Sequence, residues 1–250
     1  MRKVHLILSG LSATIILLSL NRLTPWTSGY LAPFEFLRWL DFNAMIPIPL
    51  ISVLLYYLLK KNVEQNSVEK KSLASHLPFH KTPEGKLLVF NILFITGVYL
   101  FGAGSGDHEV TNYLNTRFCN AGEIKSVLCN IISYNDDEFS HIMYYLGFIA
   151  LNISLMGIEY LFPRKDKITN RDLKFILINS LFIALGIFAN LAFEPAGLDL
   201  IFFGSVTVLG LYLLNNQRNN FRAFPVLFYL TASYTIGIVA TLLYKLATIA

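Results

Sequence analysis

The sequence predicts an all-α, polytopic membrane protein, a bundle of about seven transmembrane helices with its N-terminus inside and its C-terminus outside. Three observations lead there. Hydrophobic residues make up 54% of the 250 residues and charged ones 14%, for a mean hydropathy of +0.53. About seven apolar runs approach the roughly 20 residues that cross a hydrocarbon core, each bounded by charges, Pro or Asn. Lipid offers no hydrogen-bond partners, so such runs must be helices or a closed barrel, and the period-2 alternation of a barrel is missing.

The first run, about 4–20, follows Arg2 and Lys3 as a signal peptide would. No small-x-small cleavage site comes after it, and Leu17-Leu-Ser-Leu-Asn-Arg22 reads as the end of a retained helix. Residues 21–43 carry Trp26, Tyr30, Phe34, Phe36 and Trp39 among Glu35, Arg38 and Asp41, punctuated by Pro25 and Pro33. That mixture predicts an interfacial helix with aromatic rings at headgroup depth. After the second run, about 43–60, the polar segment 62–84 holds His76 and His80 with Pro78 between them. Proline prevents one helical face from presenting both rings, so they read as solvated loop residues.

The third run, about 86–105, closes on Gly102-Ala-Gly-Ser-Gly-Asp-His-Glu109, whose glycines are expected to end the helix. Cys119 and Cys129 follow in the next loop. They form either a disulfide stabilising the segment by roughly 2–3 kcal/mol or two free thiols. The fourth run, about 139–162, opens on Asp136-Asp-Glu-Phe-Ser-His141, and three more lie at about 174–194, 198–214 and 225–245. Asn91, Asn152, Asn179 and Asn190 are placed to hydrogen-bond between helices. Gly97, Gly147, Gly157, Gly186, Gly204 and Gly210 are placed for close packing. No linker separates two domains, so 1–250 reads as one integral-membrane domain, and no internal repeat is evident.

Basic residues set the orientation. With the N-terminus cytoplasmic, the inner side receives Arg2, Lys3, Lys60, Lys61, Lys70, Lys71, Lys81 and Lys86, and then Arg164, Lys165, Lys167, Arg171, Lys174, Arg218 and Arg222. The outer side holds Arg22, Arg38, Arg117, Lys125 and Lys245, a roughly threefold bias that fits the positive-inside rule and a plasma (inner) membrane. The charge is spread over membrane-flanking loops without a dense basic stripe. It argues for lipids and against nucleic acid as partner.

In this topology the acidic and histidine residues collect on the outer face. They are Asp107, His108, Glu109, Asp136, Asp137, Glu138, His141, Glu194 and Asp199. Packed carboxylates repel unless cations or protons compensate. Asp137 stands four residues before His141, and Glu138 three before it, so either pair can share a helical face. His108, His141 and a carboxylate such as Glu194 form a chemically reasonable mononuclear zinc or iron site. A coordinated water would then be the nucleophile, with Asp137 or Glu138 as general base. A di-iron site would need a second Glu-x-x-His pair, which is missing. The competing reading is structural, with Asp136, Asp137 and Glu138 capping the next helix through its macrodipole. Ser105, near these histidines, is a further candidate nucleophile.

Gly102-Ala-Gly-Ser105, then His108 and Thr111, then Asp137-Glu138 opening the next helix, resembles the alkaline ceramidase family of seven-helix membrane hydrolases. That resemblance implies that His108 binds zinc and that Ser105 and Asp137 assist catalysis. The Ser-to-His spacing is one residue shorter than the family's, and the late His-x-x-x-His is missing from 225–245. His141 or Glu194 would have to supply the lost ligands.

The leading functional expectation is a metal-dependent lipid hydrolase with its site at the outer membrane face. The alternatives are a transporter or ion-binding protein with an acidic outer vestibule, or a sensory or structural seven-helix protein. A retinal-binding version is disfavoured because Lys245 lies at the extreme end of the last run.

Overall fold

The computed structural model describes residues 1–65, 82–119, 126–192 and 197–249, and among them every regular element is helical. The helices are α1 (Arg2–Leu23), α2 (Trp39–Met45), α3 (Pro47–Glu64), α4 (Pro83–Leu114), α5 (Val127–Tyr134), α6 (Ser140–Leu161), α7 (Asn170–Leu191), α8 (Leu198–Asn216) and α9 (Pro225–Ile249). Two π turns extend them, Asn115–Cys119 after α4 and Asn135–Phe139 joining α5 to α6. Among the described residues seven spans are long and apolar enough to cross a membrane. They are Arg2–Leu23, Trp39–Glu64, Glu84–Cys119, Val127–Leu161, Asn170–Leu191, Asp199–Asn216 and Pro225–Thr248.

Local chemistry explains several ends. Ser126 caps α5 by accepting from the Cys129 amide at 3.1 Å. Thr169 and Asp172 form a reciprocal capping box at the start of α7, satisfying donors the helix itself cannot. Pro47 and Pro225 open α3 and α9, where a missing amide N–H costs nothing.

The chain divides into two compact units. The first comprises Met1–Ser12, Leu55–Ile95 and Ile149–Ala250. Its cross-helix pairs give the helix senses. His5 meets Asp172 at 2.6 Å and Ser12 meets Asn179 at 2.7 Å, so seven residues of α1 match seven of α7 and the two run parallel. Asn152 reaches Tyr234 at 2.8 Å while Glu159 accepts from the Leu227 amide at 2.7 Å, which makes α6 and α9 antiparallel. Asn152 also accepts from Tyr56 at 3.0 Å, bridging α3, α6 and α9. Asn152 and Asn179 thus bond between helices as expected, whereas the Asn190 amide donates to Gly186 within its own helix.

The second unit comprises Ala13–Leu54 and Thr96–Phe148. Within it α4 and α6 run antiparallel at backbone contact. A Cβ on Gly104 would lie 2.3 Å from the Tyr144 nitrogen, and one on Gly147 would lie 2.2 Å from the Phe101 nitrogen. Cys119 and Cys129 form a disulfide beyond this crossing.

Two expectations are corrected here. The glycines of 102–106 do not end a helix; α4 runs through them to Leu114, because Gly104 lets α6 approach and the polar residues that follow continue the hydrogen-bonded turns. The segment between α1 and α2 is a looped ribbon in place of an interfacial helix. It holds one 3₁₀ turn, Pro25–Thr27, and is closed by Leu31 N–H on Leu37 O at 2.8 Å and Trp39 N–H on Gly29 O at 2.9 Å. Prolines 25 and 33 deny a helix its amides there. His76 and His80 lie outside the described residues.

Candidate functional site

The second unit gathers its ionisable residues along the C-terminal part of α4. Among the unit's described residues three carboxylates are almost wholly buried: Asp41 on α2, Glu109 on α4 and Asp136 in the π turn before α6. Burial of a charge costs several kcal/mol unless it is paired, so the partner of each is informative. Asp41 receives two bonds from the Arg38 guanidinium, both at 2.7 Å, and that pairing raises the Arg38 pKa above its ordinary value. Arg38 reaches on to Asn112 at 3.1 Å. Glu109 is paired with Arg22 at 2.8 Å. Farther along, Arg117 and Tyr113 hold Glu35 of the looped ribbon, and Arg117 stacks over the Tyr30 ring at 5.4 Å. Two of the buried acids therefore have permanent cations, and the Arg22–Glu109 pair with the Arg38–Asn112 bond fastens 22–41 to α4.

Asp136 is different, because the group beside it is an imidazole. His108 Nδ1 lies 3.0 Å from Asp136 Oδ1 and 3.3 Å from the Asp136 backbone oxygen. The Oδ1 contact is close enough for an ion pair but out of line for a hydrogen bond, and Oδ1 has no hydrogen-bond partner. Asn115 donates to the other carboxylate oxygen at 3.3 Å, and Ser140 Oγ donates to the Asp136 backbone oxygen at 2.6 Å. The His141 ring stands 4.8 Å from that of His108, centroid to centroid, and 5.8 Å from that of Tyr145. Asp107 brings a second carboxylate oxygen, buried and without a hydrogen-bond partner, from the residue next to His108.

The structure thus brings together His108 and His141, two of the residues read from the sequence, and sets Asp136 beside them. Asp137 and Glu138 are exposed, and Asp137 accepts from Ser133 Oγ at 3.0 Å. The reason is the π turn. In an α-helix the residue four before His141 shares its face; a π turn inserts one residue, so the residue five before it does, and that is Asp136. The same geometry removes the capping reading. Helix α5 begins at Val127 under its own Ser126 cap, which puts the acidic triplet in the middle of a continuous span. Ser105 is buried and donates to the Ala44 backbone oxygen at 3.1 Å, so its proton is already engaged. Glu194 lies outside the described residues.

Sequence reading passed over Asp136 as a site residue, and the five-residue spacing to His141 was the signal available for it. Among the described residues no group of three or more His, Cys, Asp or Glu side chains is drawn together as a metal shell. The chain matches no family model, no curated protein and no solved structure. The likeness to alkaline ceramidases therefore rests on its own few residues.

Proposed function

We propose that this is an integral-membrane hydrolase of lipids whose chemistry centres on His108 and His141, with a divalent cation as its cofactor. The observation that carries the reading is the meeting of two imidazoles and a buried carboxylate on facing helices, in a protein whose other buried acids in that unit are held by arginines. An imidazole against a carboxylate is a costly way to fill a core and a common way to build an acid–base or metal site.

Several features support the membrane setting. Seven apolar spans are present among the described residues. The parallel pairing of α1 with α7, and the antiparallel pairing of α6 with α9, are the senses that consecutive crossings would produce. The basic bias supports a cytoplasmic N-terminus and an outer C-terminus. The span Glu84–Cys119 has 36 residues, about 54 Å of helix against a hydrocarbon thickness of about 30 Å. The apolar part of that span ends near Ser105, so His108 falls just beyond the hydrocarbon, at the outer edge. Trp26 and Phe34 on the ribbon are strongly exposed and suit headgroup depth. A substrate entering from the leaflet would reach a site at that level.

The two imidazoles are the ligands this reading assigns to a zinc or iron ion, and among the described residues no third His, Cys, Asp or Glu is drawn to them as a shell. When bound, such an ion acidifies a water enough to make it a nucleophile near neutral pH. The chain's own contributions are to hold the rings, to exclude bulk water through the α4–α6 contact, and to supply carboxylates as proton acceptors. Ser105, with its proton on Ala44, serves as an acceptor in this arrangement. Incubating the purified protein with a panel of ester- and amide-linked lipids in mixed micelles tests the reading. Product release by the wild type, abolished in His108→Ala and His141→Ala, is expected; equal release by all three would refute it.

A further inference from the structure

We infer that Asp136 is a positioning residue that fixes His108 as the Nδ1–H tautomer, leaving Nε2 as the nitrogen that meets a ligand. A neutral imidazole carries its proton on one nitrogen and a lone pair on the other, and its surroundings decide which. Two oxygens of one residue face His108 Nδ1, the Asp136 carboxylate at 3.0 Å and the Asp136 backbone carbonyl at 3.3 Å. Both are acceptors. A lone pair on Nδ1 would be repelled by the two together, whereas an N–H is attracted to both. The proton therefore resides on Nδ1, and the basic lone pair is on Nε2.

The remaining contacts of Asp136 hold that arrangement in place. Ser140 Oγ donates to the backbone oxygen at 2.6 Å, and Asn115 donates to the far carboxylate oxygen at 3.3 Å. Each of these donors sits on an ordered helical segment, Ser140 at the start of α6 and Asn115 at the start of a π turn. The π turn 135–139 is what aims both oxygens of one residue at one ring, since it rotates Asp136 inward and sends Asp137 and Glu138 outward. Carboxylate partners of this kind orient metal-bound histidines, and losing one typically costs about 10–100-fold in metal affinity or activity. The tautomer stands on the geometry alone; what Nε2 then does rests on the hydrolase reading.

Nitrogen-15 NMR of histidine-labelled protein in detergent micelles at pH 9 tests it, well above the ordinary imidazole pKa of about 6.5. The His108 signals are identified by their loss in His108→Gln. The expected wild-type result is a protonated Nδ1 and a bare Nε2. Asp136→Ala keeps the backbone carbonyl, so the Nδ1–H form should lose population to the other tautomer without vanishing, and Asp136→Glu should retain more of it. A wild-type ring protonated on Nε2, or on both nitrogens, would overturn the inference without any variant having to fold. So would an unchanged single tautomer in Asp136→Ala. An Nδ1–H ring in a protein that hydrolyses no lipid would remove the hydrolase reading and leave the positioning role standing.

Discussion

Replacing Gly104 by alanine should break the site without touching any of its chemical groups. The added Cβ would lie 2.3 Å from the Tyr144 nitrogen and 2.8 Å from both the Ser140 oxygen and the Tyr144 Cα. Every one of these atoms is backbone, so no side chain can swing aside. Ordinary contact begins at about 3.4 Å, and α4 and α6 would have to part by about 1 Å to reach it. Overpacking of that kind costs about 1–3 kcal/mol. His108 lies one turn beyond Gly104, and its partners Asp136 and His141 flank Ser140 on the opposing helix. The separation therefore falls directly between the two imidazoles, where a 1 Å misplacement can cost about 10²-fold in rate. Gly147→Ala should act likewise, since its Cβ would meet the Phe101 backbone at 2.2 Å. Gly102 and Gly106 make the internal controls. Nothing lies within 4 Å of a Cβ at either position, so alanine there should be neutral or stabilise the helix by up to about 1 kcal/mol. Thermal unfolding followed by helical circular dichroism, alongside lipid turnover, gives both readouts. A Gly104→Ala protein as stable and as active as Gly102→Ala would refute the packing argument.

Three other perturbations follow from buried polar pairs and the disulfide. Arg38→Ala leaves the Asp41 carboxylate buried without its cation and should cost about 3–5 kcal/mol, with much of that recovered in Arg38→Ala/Asp41→Asn; denaturant unfolding of the single and double variants measures it. Glu159→Ala removes the acceptor for the Leu227 amide in the first turn of α9 and should cost about 1–3 kcal/mol, while Glu159→Gln retains an acceptor and loses less. Reducing Cys119–Cys129 should lower stability by roughly 2–3 kcal/mol, read as a drop in melting temperature on adding reductant that a Cys119→Ser/Cys129→Ser variant no longer shows.

Hydropathy made the spans legible, because a run that must avoid water for some 30 Å leaves little freedom in its composition. It misplaced their ends where packing took over. The apolar part of the third run stops near Ser105, yet the helix continues past His108, Thr111 and Asn112, supported by the Gly104 crossing, the Arg22 pair on Glu109 and the Arg38 bond to Asn112. Composition does not record such cross-helix support. The imidazole pair was legible as two polar clusters on successive runs. The carboxylate beside it was not, since an α-helical period points to Asp137 and Glu138, and a single π turn moves the register by one residue to Asp136. The looped ribbon before α2 was obscured for the opposite reason. Its aromatic residues imitate an interfacial helix, while Pro25 and Pro33 deny that helix its hydrogen bonds.

Metal content decides whether His108 and His141 hold an ion. The protein would be purified in mild detergent beside His108→Ala/His141→Ala, and both analysed for bound metals by mass spectrometry. About one zinc or iron per chain is expected in the wild type and its loss in the variant, with membrane insertion unchanged. The same metal content in both preparations would contradict that expectation.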